Sequence, residues 1–162
     1  MLPELGALYQ EHAAAVWRYT RSRLPTDADA EDVTSDVFAR AMRSTHTYDP
    51  AKGSPRAWLV GIARNAVGDW WRRRKPEDPH GDFPDAIASD DPLMESLRIE
   101  QIGEVRAVLA MLSEREREAI ALRFGAELGS AEIGVHLGIS PTAARMLVHR
   151  VVTKLRGVLT DG

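Results

Sequence analysis

Apolar residues recur along the chain at intervals of three and four. No stretch sustains the alternation of a strand, so the sequence predicts an all-α protein. Between residues 3 and 24, Leu5, Leu8, Tyr9, His12, Val16, Tyr19 and Leu24 keep near-helical spacing, and Pro25 stops the helix. A second helix is expected from Thr26 or Asp27, either a good cap, to about Ser44. It would bury Val33, Val37, Phe38 and Ala41 and place Asp29, Glu31 and Asp32 at its positive end. After a loop, His46–Gly53, Ser54 caps a third helix with Pro55 in first position, running to about Lys75.

On that third helix Leu59, Ile62, Ala63, Ala66 and Trp70 share a face expected to be core. Trp58, Asn65, Asp69 and Arg72 form a separate stripe bordered by Gly61 and Gly68. Glycine costs about 1 kcal/mol inside a helix. Two on one stripe therefore point either to something approaching the backbone or to close helix packing.

Residues 76–93, PEDPHGDFPDAIASDDPL, break the pattern with four of the nine prolines and six acids against no base. Proline removes amide donors and the acids repel, so this stretch reads as an extended linker between two helical halves. Beyond it a helix is expected at about Leu93–Met111. Ser113 and Glu116 then form a capping box for a helix that runs to Phe124 and ends at Gly125. Ser130 is expected to cap a short helix ending near Leu137, Gly138 to make a tight turn, and Ser140 to cap a last helix over Pro141–Leu159. Short helix, glycine turn and longer basic helix make a helix-turn-helix. Its expected core is Ile133, Leu137, Ile139, Ala144, Val148, Val151 and Leu155.

The expected architecture is thus two small helical domains: a three-helix bundle over 1–75 and a four-helix C-terminal domain with a helix-turn-helix over 94–162, joined by the acidic linker 76–93.

Composition narrows the chemistry. The 162 residues contain no cysteine, which excludes a disulfide framework, a thiol nucleophile and a cysteine zinc site. No apolar run approaches the roughly 20 residues of a membrane span and no signal peptide opens the chain, so an intracellular, cytoplasmic protein is expected. The net charge of −3 hides an asymmetry. Residues 1–75 carry a net +3, the linker −6, and residues 94–162 zero. Basic residues collect at 71–75 and in the last helix, where Thr142, Arg145, Met146, His149, Thr153 and Arg156 share the exposed face with Arg150 at its flank. Bases, hydroxyls and an imidazole on the second helix of such a motif suit phosphate and base-edge contacts, although a basic surface helix alone is commoner.

The five histidines lack metal-ligand spacing, no Gly-rich phosphate cradle is present, and Glu100, Glu104 and Glu116 read as surface charge. An enzyme, a cofactor, a metal site and a small-molecule substrate are therefore not expected. His136 and His149 read as surface or turn residues.

Five stretches in order resemble the bacterial sigma factors of the extracytoplasmic-function (ECF) group of the sigma-70 family: LYQEHAAAVWRYTRSRL, DAEDVTSDVFARAM, SPRAWLVGIARNAVGDWWRRR, LSEREREAIALRF and SAEIGVHLGIS. The resemblance implies a protein that binds core RNA polymerase, directs it to promoter DNA and helps open the duplex, with an anti-sigma factor as a further partner. It implies that Asn65 and the His46–Gly53 loop, Tyr48 included, take the −10 bases, and that Arg72, Arg73 and Arg74 hold phosphates. Trp58 is expected to anchor the loop and Asp69 to pair with Arg72 or Arg73.

By the same resemblance Asp32, Ser35, Asp36 and Phe38 dock on the polymerase, although Ser35 and Met42 depart from the family's usual Gln and Trp. Thr142, Arg145, His149 and Arg150 would contact the −35 element, where Met146 and Leu147 replace the usual hydroxyl and base. Those two departures leave room for other readings: a sigma-like interaction protein that selects no promoter, or a free-standing helix-turn-helix regulator.

Overall fold

A computed structural model describes residues 2–74 and 109–160. The proposed linker and the expected helix over 93–111, but for its last three residues, lie outside that set. Among the described residues there is no strand, and no helix is long and apolar enough to cross a membrane.

The N-terminal unit is three helices: α1 (Leu5–Arg23), α2 (Asp27–Arg43) and α3 (Pro55–Arg74), with one 3₁₀ turn, Thr45–Thr47, between the last two. Thr26 proves to be the cap of α2, its hydroxyl accepting from the Asp29 amide at 3.1 Å. Ser54 caps α3, its hydroxyl accepting from the Ala57 amide at 3.2 Å. The core is Leu8, Val16, Tyr19, Leu24, Val33, Val37, Phe38, Leu59, Val60 and Ala63 with their small neighbours. On α3, Leu59, Ala63 and Ala66 are buried as expected, while Ile62 and Trp70 are half-buried. Ala57, Val60 and Val67 are buried as well, because α3 packs against both α1 and α2.

The C-terminal unit follows the expected order with two local corrections. Its first helix, α4 (Glu114–Ile120), opens on the Ser113/Glu116 capping box but then widens into a π turn over Ala121–Gly125. The short helix α5 (Ser130–Leu137) is capped by the backbone of Gly129, so Ser130 is its first residue rather than its cap. Glycine there lets the chain enter without a side-chain acceptor. Gly138 takes the left-handed conformation at φ 70°, which only glycine adopts without strain. Ser140 caps α6 (Pro141–Thr160), its hydroxyl accepting from the Ala143 amide at 3.0 Å. Ile133, Ala144 and Val151 are fully buried, and Leu137, Ile139, Val148 and Leu155 half-buried.

Glu116 is not surface charge. It is 7% exposed, closes the capping box on Ser113, and holds Lys154 of α6 at 2.8 Å. Those hydrogen bonds, the Lys154 ammonium first, hold its carboxyl below the usual range.

The two units pack directly on each other. The end of α1 meets the π turn, where the Arg18 guanidinium donates to the Gly125 carbonyl at 3.0 Å. A Cβ at Gly125 would stand 3.3 Å from the Tyr19 Cα.

Candidate nucleic-acid interface

One face of α3 and the loop before it form one wall of a cleft of about 990 Å³; α4 and α5 form the other. The loop is held by Trp58. Its indole N–H donates to the Thr47 hydroxyl at 3.1 Å, and the Tyr48 ring sits edge-on to it at 5.8 Å. The Tyr48 hydroxyl donates to the Gly53 carbonyl at 3.3 Å. Trp58 is therefore an anchor, and Tyr48 is half-buried within the same anchor. Asn65 stands exposed on the cleft wall.

Past Asn65 the helix ends in exposed bases. Asp69 pairs with Arg72 as expected, and also with Arg40 of α2 at 3.0 Å. The hydrogen bonds from Arg40 and then Arg72 hold its carboxyl below the ordinary carboxylate range. Arg40 in turn reaches Asp36 at 2.9 Å, so one chain of charges ties α2 to the end of α3. Arg74 lies 3.9 Å above the Trp70 ring, a cation–π contact, and Arg73 is exposed beside it.

On α2, Asp32 and Ser35 are exposed and Asp36 is partly engaged by Arg40. Phe38 is not at the surface. It is 6% exposed and packs against Tyr9 at 5.0 Å, because its position belongs to the same buried stripe as Val37 and Ala41. Tyr9, from α1, is the aromatic ring presented there, at 53% exposure. The near-helical spacing that includes Tyr9 does not distinguish the centre of an apolar face from its edge, and Tyr9 stands at the edge.

On α6, Thr142, Arg145, His149 and Arg150 are exposed, with Thr153 beyond them. Met146 is 62% exposed at the middle of that face, and Leu147 is buried against the unit's core. Lys154 is spent on Glu116.

The cleft is closed at its floor by polar contacts between the units. Glu118, 8% exposed, accepts from the Tyr19 hydroxyl at 2.7 Å and from Arg64 at 2.9 Å, and stands 3.1 Å from Arg23. Arg23 also pairs with Glu114. Arg64 donates to the His136 carbonyl at 2.8 Å, and the His136 imidazole donates from Nε2 to the Ala57 carbonyl at 3.0 Å. Glu127, held at a left-handed φ of 58°, faces Arg18 and Arg56, each at 3.2 Å. Glu132 accepts from both the amide and the hydroxyl of Ser54.

His136 is thus a packing residue between the units. The stripe glycines separate: a Cβ at Gly61 would meet His136 at 3.3 Å, whereas Gly68 faces only Arg72 of its own helix.

Burial, and then the Arg64 charge, lower the His136 pKa from its ordinary 6.5, against the opposing pull of the Ala57 carbonyl, Glu118 and Glu132. A depressed value means that the packed form disfavours the proton. Packing is therefore at full strength above about pH 6.5 and weakens as pH falls below it, until the depressed value is passed. Fluorophores placed on the two units should move apart between pH 8 and pH 5.5. His136→Gln, which keeps a donor for Ala57, should flatten that profile. An identical profile in the variant would assign the effect elsewhere, the N-terminal His12 being the next candidate because burial lowers its pKa too.

Comparison with known proteins adds an independent line. The model of sigma-70 region 2 matches residues 8–77, and that of sigma-70 region 4 matches residues 108–157. The ECF RNA polymerase sigma factor BldN of Streptomyces coelicolor is 33% identical over 96% of this chain, which spans 60% of that protein's length. The RNA polymerase sigma factor CarQ of Myxococcus xanthus is 33% identical, with 95% of this chain and 88% of CarQ covered. Among solved structures, CnrH in complex with the cytosolic domain of CnrY superposes with a TM-score of 0.70 at 26% identity, covering 97% of this chain and 88% of CnrH.

Proposed function

The chain belongs to the sigma-70 family, within its ECF group, and from that premise we propose that it binds core RNA polymerase and directs it to promoters. Members of this family act as initiation factors rather than as catalysts. Residues 1–75 would dock on the polymerase and read and melt the −10 region, 94–162 would read the −35 region, and 76–93 would tether them. The reading is carried by one placement: Asn65 is exposed in a cleft between a loop anchored by Trp58 and the bases Arg72, Arg73 and Arg74. A melted strand needs both, a polar group at a base edge and cations along its backbone.

Tyr48, within the anchored loop, would line the base pocket. Asp32, Ser35 and Asp36 would meet the polymerase, with Tyr9 rather than Phe38 as the neighbouring ring. Thr142, Arg145, His149 and Arg150 would meet the −35 duplex. An anti-sigma partner, implied by the family resemblance, belongs to the same proposal; CnrH, to which the chain is similar, was solved with a protein partner, the cytosolic domain of CnrY, and the site of action would be the cytoplasm.

Burial of Leu147 removes one of the two departures that favoured a sigma-like interaction protein; it is a core residue of α6 and was never available to DNA. Run-off transcription with core polymerase tests the proposal. Added protein should start transcripts at defined sites, and no stimulation on any genomic template would refute it. In that assay Asn65→Ala is expected to cost about 1–3 kcal/mol of promoter discrimination, the usual worth of one good base contact, with polymerase capture unchanged. Loss of capture would place Asn65 in docking instead.

A further inference from the structure

The core of the C-terminal unit accounts for Leu147 but not for its neighbour Met146. Burial of Ala144, Leu147 and Val151 fixes the rotation of α6 and leaves Met146 mostly exposed. Residues three and four apart on a helix are surface neighbours. Met146 therefore has Thr142 on one side and His149 and Arg150 on the other, all exposed. Among the described residues no partner engages Arg145, His149 or Arg150, and α6 carries no acid from Pro141 to Thr160.

A lone exposed methionine needs no explanation on an ordinary surface. This one stands among two guanidiniums, an imidazole and a hydroxyl. A protein partner that buried it would strip water from those groups as well, whereas a polyanion would pair the cations. The charges thus decide what the methionine meets. Thr142 and His149 are seven residues apart, about 10 Å along the helix at about 1.5 Å per residue. That covers about three base-pair steps of about 3.4 Å, and Met146 falls inside the run.

Methionine has no donor and only a weak acceptor in its sulfur. Laid over the edge of guanine, adenine or cytosine, it would displace water from polar atoms and offer nothing in return. The major groove holds one apolar feature, the C5-methyl group of thymine. The thioether chain, with three rotatable bonds, can settle against it. Resting on the sigma-factor reading, we propose that Met146 is a specificity-determining residue of α6, and that it reads the C5-methyl group of a thymine in the −35 duplex.

The test uses the full chain with core polymerase. Duplexes are selected from a random pool, so that the ligand is defined without assuming a start site. In the selected duplex each thymine is replaced in turn by uracil, which lacks only the methyl group, and binding is followed by fluorescence anisotropy. At one position uracil should weaken binding about fourfold, what burying one methyl group is worth. Cytosine there should weaken it further, and 5-methylcytosine should recover part of the loss. Met146→Gln, of similar length, and Met146→Ala should abolish the uracil penalty at that position alone, while Met146→Leu keeps it. Met146 lies outside the core, so each variant should keep its fold, which circular dichroism melting checks.

A pool that yields no bound duplex, no uracil penalty at any position, or equal penalties in the natural chain and Met146→Gln overturns the assignment. Loss of polymerase capture in Met146→Ala places the side chain on the polymerase and overturns it too. If the methyl dependence holds but run-off transcription finds no start site, it is the sigma-factor reading that fails. Defined starts without methyl dependence are the reverse case.

Discussion

Glu118→Ala is expected to separate the two helical units and to lower the stability of the packed chain by about 3 kcal/mol, the low end of what breaking a buried ion pair costs. One carboxylate, 8% exposed, serves the Tyr19 hydroxyl, Arg64 and Arg23 together. Alanine leaves the buried Tyr19 phenol and the Arg64 guanidinium short of their acceptor and removes a counter-charge from Arg23, and an unpaired buried donor costs its full desolvation. The figure stays low because Arg23 keeps Glu114 and Arg64 keeps the His136 carbonyl. Solution scattering should show a larger radius of gyration, and chemical denaturation a lower first midpoint. Glu118→Gln, which still accepts from Tyr19, should fall between. Unchanged dimensions in Glu118→Ala would mean that the apolar contact of α1 with the π turn holds the units unaided.

Most of the chain's local structure was legible because its signals are local. Thr26, Ser54, Ser113 and Ser140 announce helix starts through the hydroxyl that satisfies an otherwise orphaned amide, and each does so in the fold. Trp58 and Asp69 were legible for the same reason: their partners Thr47 and Arg72 lie within eleven and three residues.

The packing between units was not legible. Glu118, Glu132 and His136 each look like solvated helix positions, and their partners stand 54 to 99 residues away. The one hint was Gly61, a costly residue in mid-helix, and His136 is what approaches it. Phe38 carried two readings, helical spacing placing it in the buried stripe and the family pattern on the polymerase face, and packing keeps it in. The π turn at Ala121–Gly125 has no sequence signature beyond the glycine that ends it.

Gly134 supplies the other large effect. It was overlooked beside Gly138, yet the two glycines differ in what a side chain would meet. At Gly138 the requirement is conformational, a φ of 70° with open space around a Cβ, so Gly138→Ala should cost about 1–2 kcal/mol. At Gly134 the requirement is room. A Cβ there would lie 2.5 Å from the Ile139 carbonyl oxygen and 3.3 Å from the Ser140 backbone. Those atoms cannot rotate aside, because the Gly134 carbonyl accepts from the Gly138 and Ile139 amides and so pins the turn that starts α6.

Gly134→Ala must therefore push α6 off α5. That should cost about 3 kcal/mol, the upper end for overpacking, and Gly134→Val should cost more. The damage is confined to the helix-turn-helix: binding to a −35 duplex through Thr142, Arg145, His149 and Arg150 should be lost, while α3 and its loop still hold a single −10 strand. Denaturation of the full chain and paired duplex and single-strand titrations check both halves. A Gly134→Ala chain that bound the duplex normally would show that α5 and α6 can part without cost, and the close approach at this turn would then not be what orients the recognition helix.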